Sequence, residues 1–509
     1  MEKTRSENVL RNSSVSFITQ FVTIFFRFGL QTVFIRILGE AYLSINGLFT
    51  QILTLLSICE LGVGSAIVFN LYKPLAIKDE KHIAALLSFY RKAYMVIGFS
   101  IAILGLLLLP FLNYLTQGNT VPHIHFIFLL FLFNSVISYF YSYKATILTA
   151  SQRDYVIQMY TVFVIMIQTA IQAVILLTTG NYIAFLVAQI IGTITTNLLI
   201  ARKVEKEYPY LKEYREEKIS QTEFKLIKRN VFELMGSKVG SVVIQGSDAV
   251  LVSALGYLSQ IGLFANYNLI ISNISILQSR IINGSIASIG NLAAEGKPDE
   301  AIVVFKNHFF VNFMITIFCG SMLLNLLNPF VTIWAGPDFL FPMVTVTILV
   351  LNYYLNQIRQ TAISFNLAYG ALEYQGVKSV IEAVFNIGIS YVLIVTTGLG
   401  MGAALLGTIL TNLLINSWFD SFQIFRLGFK RSVKKFWVYQ YVFYILGALI
   451  MGASYFLVNL IQTNHTILNL ALYTIATPVI LICLTTLLFF RLPEYKNMLR
   501  LGMRFIKRG

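Results

Sequence analysis

Apolar positions along this chain run in long unbroken tracts, not in the narrow stripes of a soluble helix. No Asp, Glu, Lys or Arg occurs from Ala93 to Tyr143, from Tyr155 to Ala201, or from Phe436 to Phe490. A helix needs about 20 apolar residues to cross a hydrocarbon core about 30 Å thick. Each tract therefore holds two crossings joined by a tight turn. Only helices satisfy their own backbone polar groups over such continuous runs. The whole chain predicts fourteen spans, starting near Ser13, Leu43, Ala93, Val121, Tyr155, Tyr182, Asn230, Leu258, Ile302, Phe341, Gly376, Gly400, Trp437 and Thr466. No small-residue cleavage site follows the first span, so it reads as an anchor and not as a removable signal peptide.

The chain also repeats itself. "GTITTNLLI" from Gly192 returns as "GTILTNLLI" from Gly407, and "TTGNY" at Thr178 as "TTGLG" at Thr396. "GLF" recurs at Gly47 and Gly262, "GSAI" at Gly64 answers "GSIA" at Gly284, and "RDY" at Arg153 answers "LEY" at Leu372. The offset drifts only from 215 to 220 residues. Spans one to six thus match spans seven to twelve. With six spans each, both halves enter and leave on one side, which makes a parallel repeat about an axis along the membrane normal. The predicted fold class is an all-α polytopic membrane protein with fourteen transmembrane helices: two pseudo-symmetric six-helix lobes plus two C-terminal helices. The predicted boundaries are an N-lobe over 1–201, a cytoplasmic linker over 202–229, a C-lobe over 230–426, and two further spans with a basic tail over 427–509.

Composition agrees: 57% hydrophobic and 12% charged, against about 25% charged in soluble domains. The net charge of +15 raises a nucleic-acid partner, and the placement of the charges rejects it. Lys and Arg collect in the N-terminal arm and in alternate loops, as at Lys73, Lys78, Lys81, Arg91 and Lys92, along Arg202 to Arg229, and from Arg491 to Arg508. That is the positive-inside pattern, and it predicts that both termini are cytoplasmic. The basic arms are suited to touch anionic lipid heads. Cys59, Cys319 and Cys483 all fall inside predicted spans, so a disulfide framework is not expected. His123 and His125 have no third ligand nearby in sequence, and neither a metal nor a cofactor is predicted.

The stretch "LGEAYLSINGLFTQILTLLSICELGVGSAIVFNLYKPLAIKDEKHIAALLSFYRKAYMVIG", Leu38 to Gly98, resembles the polysaccharide-exporter branch of the multidrug, oligosaccharidyl-lipid and polysaccharide (MOP) exporter superfamily. It is most similar to the Wzx-like flippases of lipid-linked repeat units. The resemblance implies a non-enzymatic transporter in a bacterial plasma membrane. It implies a substrate, an undecaprenyl-pyrophosphate-linked oligosaccharide moved from the inner to the outer leaflet for capsule, exopolysaccharide or O-antigen assembly. Membrane lipids and polysaccharide polymerase or assembly proteins are the partners it implies.

The residues themselves support a polar path. A charge in mid-span costs roughly 2.5–3.5 kcal/mol even on the lenient insertion scale, so it faces a wet cavity or a partner. Arg27, Glu60, Lys238, Asp248, Arg280 and Arg359 are placed mid-span, whereas Arg36, Glu233, Glu382 and Asp420 lie near span ends and can snorkel. Helical spacing groups Gln20, Arg27 and Gln31 in span one with Ser16 and Thr23. It groups Lys238, Gln245 and Asp248 in span seven with Ser241, and Asn266, Asn273 and Arg280 in span eight. In span ten it groups Asn352, Asn356, Arg359 and Asn366. Such stripes fit helices lining water, although Asn and Gln also join helices to one another. Arg binds phosphate oxygens through its planar fork, and amides bond sugar hydroxyls. The predicted cavity set is therefore Arg27, Lys238, Arg280, Arg359, Gln20, Gln31, Gln245, Asn266, Asn273, Asn352 and Asn356, with Glu60 and Asp248 as candidates for ion coupling. Aligning Gly64 with Gly284 also sets Glu60 opposite Arg280 in the repeat, an expected pair in one transport state.

Three other readings stand beside this one. A drug or cation antiporter and a peptidoglycan-precursor flippase share the superfamily. A membrane-embedded polymerase or glycosyltransferase needs catalytic groups on a sizeable loop, and Glu40 and Asp338 are the only acids in the short outer loops. A scaffold needs no buried cations.

Overall fold

The computed structural model describes the backbone of residues 5–60, 63–116, 121–214, 217–371 and 373–508. Side chains are described over the same ranges except at 5–14, 16–17, 65–66, 69, 222, 226, 229–230, 232–239, 241, 245, 287–288, 291, 294–295 and 501–508. The described residues are helical almost throughout, and ten helical segments are long and apolar enough to cross a membrane. This is a multi-pass membrane protein.

The segments follow the predicted spans. Gly39, at φ 75°, breaks the helical path of Arg5–Leu56 into two. That backbone region is open to glycine at little cost, and it falls where spans one and two were expected to meet. One of the ten apolar segments therefore carries two spans. Glu80–Leu108, Ile124–Ala150, Asp154–Thr179 and Tyr182–Glu207 supply spans three to six. Pro298–Trp334, Gln375–Thr397, Met401–Thr411 with its continuation to Gly428, Lys434–Asn459 and Thr466–Phe489 supply nine and eleven to fourteen. Leu258–Asn283, with Met343–Ile358 and Gln360–Tyr369, stands where spans eight and ten were expected. None of these three helices is among the ten apolar segments, and they carry two of the four polar stripes. Gln221–Ala254 stands in place of span seven.

The repeat is visible in local geometry. Gly180 ends one helix at φ 60° and Gly398 ends its counterpart at φ 67°, the left-handed cap that favours glycine. Before each, the paired threonines do the same work. Thr178 and Thr396 donate to the carbonyls of Val174 and Val392, and Thr179 and Thr397 to those of Ile175 and Leu393. Thr179 and Thr397 then accept from the amides of Asn181 and Leu399. Gly192 and Gly407 are both sites of close helix approach, where an added Cβ would strike Gln168 in one case and Ser390 in the other.

Packing divides the chain into two compact units, residues 1–262 with 376–383, and 263–375 with 384–509. In the first, Gln221–Ala254 packs on Arg5–Leu56 and Val63–Ile77. Span seven, sequence-assigned to the C-lobe, thus packs with the first unit. In the second, Lys434–Asn459 and Thr466–Phe489 pack on Pro298–Trp334. Phe313, Phe443 and Phe489 form a common aromatic core there, with Phe313 and Phe443 centroids 4.9 Å apart. The two C-terminal spans are thus built into the body of the second unit.

Candidate functional site

In the first unit, the Arg5–Leu56 helix exposes two faces. At about 100° per residue, Gln20, Thr23, Arg27 and Gln31 fall within an arc of about 80°. Ile18, Phe21 and Phe25, exposed by 64%, 59% and 75%, fall roughly opposite. Arg27 is exposed, and Gln20, Thr23 and Gln31 are half-buried. The apolar face suits hydrocarbon. An exposed arginine on the far face of the same helix requires water or an anion. Arg36 is exposed too, but it lies on the apolar side three residues from Gly39, where a long side chain reaches the headgroups.

Glu60 ends the same long path in a short 3-10 turn, Ser57–Glu60. Tyr94 donates to it at 3.5 Å, and the Tyr94 ring stacks on Tyr139 with centroids 6.3 Å apart. Asp248 is half-buried in Gln221–Ala254. The side chains of Lys238 and Gln245 lie outside the described residues.

The second unit gathers several predicted residues into one network. The helical path breaks between Ile358 and Gln360, which leaves Arg359 pointing at the Met401–Gly428 segment. Asp420 Oδ2 accepts from Arg359 Nε at 3.0 Å and from Nη2 at 2.7 Å. Nη1 donates to Asn412 Oδ1 at 2.6 Å. Asn412 in turn donates to Asn356 at 3.2 Å, Asn416 donates to Asn412 at 2.8 Å, and Asn356 donates to Asn352 at 3.0 Å. Asn366 donates to the Asp420 carbonyl at 2.9 Å. Asn412 to Asn416 form a π turn, which sets Asn412 against the guanidinium with Asn416 bonded behind it; such turns recur at functional positions. The span-ten stripe therefore faces a neighbouring helix, and its amides join helices.

Asn266 is buried, while Asn273 and Arg280 are half-buried. Asn273 donates to the carbonyl of Leu269 at 2.6 Å.

Sequence reasoning missed a second charged cluster, in the first unit. Lys144 donates to Glu205, and Lys212 bonds the other carboxylate oxygen at 2.9 Å. These two bonds, Lys144 first, hold the Glu205 carboxyl down at about 2. Arg153 reaches both oxygens of Glu207 at 2.8 and 3.0 Å. A cavity of about 600 Å³ opens beside the first of these pairs, lined in part by Arg91, Tyr143 and Phe140. The repeat offset was the signal available. Lys144 and Glu205 each lie 215 positions before Arg359 and Asp420.

Among the described residues no three His, Cys, Asp or Glu gather as a metal-holding group.

Comparison with known proteins places the fold. No family model matches the sequence, and no curated protein matches it. Solved structures do match. A lipid II flippase, MurJ, in an inward closed conformation aligns with a TM-score of 0.66 at 14% identity, over 95% of this chain and 99% of that one. An inward-facing multidrug-resistance MATE transporter of the MOP superfamily aligns with a TM-score of 0.61 at 13% identity, over 88% and 98%. A MOP-superfamily transporter from Pyrococcus furiosus aligns at 0.53 and 12% identity, over 84% and 95%. The chain has the fold of MOP-superfamily transporters along nearly its whole length.

Proposed function

We propose that this protein is a flippase for undecaprenyl-pyrophosphate-linked oligosaccharides, working by alternating access in a bacterial plasma membrane with both termini cytoplasmic. Arg27 carries the reading. It stands exposed opposite a lipid-facing stripe, on a helix otherwise suited to hydrocarbon, where a charge persists only against water or an anion. A pyrophosphate supplies that anion, and the guanidinium fork binds its oxygens. Gln20 and Gln31 flank Arg27 and suit sugar hydroxyls. Arg280 and Lys238 are the further cations of this reading. Arg359 supports the second unit through Asp420, and it reaches substrate only if that pair opens. Glu60 and Asp248 are the carboxylates for ion coupling. Polysaccharide polymerase or assembly proteins are the partners that would take the product.

The second reading is another exporter of the same superfamily, a peptidoglycan-precursor flippase or a drug or cation antiporter. The folds of MurJ and of the MATE transporters favour it equally. Reconstituted vesicles separate the two. Labelled undecaprenyl-pyrophosphate-linked oligosaccharide placed in one leaflet is expected to move to the other, faster than lipid II and without drug efflux. Movement of lipid II alone, or of drug alone, would reassign the substrate.

A further inference from the structure

We propose that the cavity in the first unit holds the phosphate headgroup of an anionic phospholipid of the cytoplasmic leaflet, with its acyl region along Leu87, Met95 and Phe140. The site is separate from the Arg27 face. Its volume of about 600 Å³ lies in the range of small-ligand sites. Arg91, Lys144 and Lys212 line it against one carboxylate, Glu205. Glu205 is taken up by the two lysines, and among the described residues Arg91 has no carboxylate within ion-pair distance. The wall thus carries a net positive charge beside apolar side chains, the two chemistries that a lipid headgroup and its first methylenes present.

The second unit explains why the cavity is there. Its matching pair, Arg359 and Asp420, sits in a space of only about 10 Å³, closed by Gln440 and Tyr444. Both come from Lys434–Asn459, the thirteenth span, which has no counterpart among the first six. The same ion pair is therefore covered by protein in one unit and left open in the other. In a membrane the neighbour that takes the place of a missing helix is lipid. Arg91 and Lys212 also belong to the basic stretches that the positive-inside rule sets at the cytoplasmic surface, and Lys144 lies within two turns of the end of its helix at Ala150; anionic headgroups concentrate at that surface.

The purified full-length protein in detergent tests this with a phosphatidylglycerol carrying a fluorescent acyl chain. Arg91→Gln removes the cation without its partner cluster, and Met95→Trp fills the apolar side; melting temperature checks that each variant is folded. Binding is expected to weaken at least about tenfold in Arg91→Gln, as for loss of one charge-assisted contact, and to fall in Met95→Trp. Phosphatidylcholine and inorganic phosphate are expected not to compete. Equal affinity in wild type and both folded variants would overturn the site. Displacement by inorganic phosphate at matching concentration would overturn the lipid as its source. Displacement by geranylgeranyl diphosphate more strongly than by phosphatidylglycerol would assign the cavity to the transported polyprenyl substrate instead.

Discussion

Arg359 and Asp420 form an ion pair that repeats, at the same 215-residue offset in both partners, as Lys144 and Glu205. Gly192 and Gly407 share that offset. The side chains of the Arg359 pair are 10% and 3% exposed, and those of the Lys144 pair 18% and 31%. One architecture therefore holds a closed pair in one unit and a partly wetted pair in the other. Arg359 lies 16 residues after Met343, or about 24 Å along a helix, well past the middle of a core about 30 Å thick. The pair belongs near a membrane surface, as Lys144 does, which lowers the cost of enclosing it.

The first prediction concerns stability. Arg359→Ala leaves a buried carboxylate without its cation, which costs about 3–5 kcal/mol. Membrane abundance and melting temperature are expected to fall sharply. Arg359→Leu with Asp420→Leu is expected to recover much of the loss, since it leaves no buried charge. Lys144→Ala is expected to cost less than Arg359→Ala, since its pair is partly wetted and Lys212 still neutralises Glu205. Full abundance of Arg359→Ala with lost export would return Arg359 to the substrate path.

The span count and the repeat were legible because each depends on the letters of the chain alone. Charge-free length marks a span, and the glycine in the TTG turns marks a left-handed cap. The direction of a polar stripe was not legible. Span one and span ten both carry a polar stripe with an arginine at helical spacing, yet Arg27 is exposed and Arg359 is enclosed. The difference comes from Asp420 and the Asn412–Asn416 π turn, which lie 53 or more residues away. Periodicity finds a face and does not say what meets it. The pairing of Arg359 with Asp420 was hidden for the same reason, since Asp420 read as a span-end charge.

The second prediction follows from the two faces of the first helix. Single cysteines replacing Gln20 or Arg27 are expected to react with a membrane-impermeant thiol reagent. Cysteines replacing Phe21 or Phe25 are expected not to. Cys59, Cys319 and Cys483 are first replaced by Ala. Equal labelling at all four positions would remove the hydrated face.

The third prediction is a pH dependence. Glu205 sits well below its ordinary 4.5, at about 2, because Lys144 and Lys212 favour its charged form. Its folded value is the lower one, so its contribution is complete above about pH 4.5 and is lost as pH falls towards 2. Glu205→Gln is therefore expected to lower the melting temperature slightly at pH 7. Its deficit should shrink as pH drops below 4.5. A deficit of constant size across that window would show that the carboxylate's charge is not what stabilises the cluster.

The last prediction tests the anion-binding role of Arg27. Arg27 is exposed, so its loss strands no buried partner and is expected to leave abundance within the usual range of surface substitutions. Export is expected to fall at least about tenfold in Arg27→Ala, since one charge-assisted contact contributes roughly 1.5–3 kcal/mol. Arg27→Lys keeps the charge but loses the planar fork, so it should retain part of the activity. Arg27→Glu reverses the charge and should be the most defective of the three. Glycan export is measured beside membrane abundance for each variant in cells lacking the wild-type protein. The order Arg, Lys, Ala, Glu at constant abundance is what a pyrophosphate contact requires. Normal export by Arg27→Ala, or loss of export only in step with abundance, would show that Arg27 does not bind the transported anion.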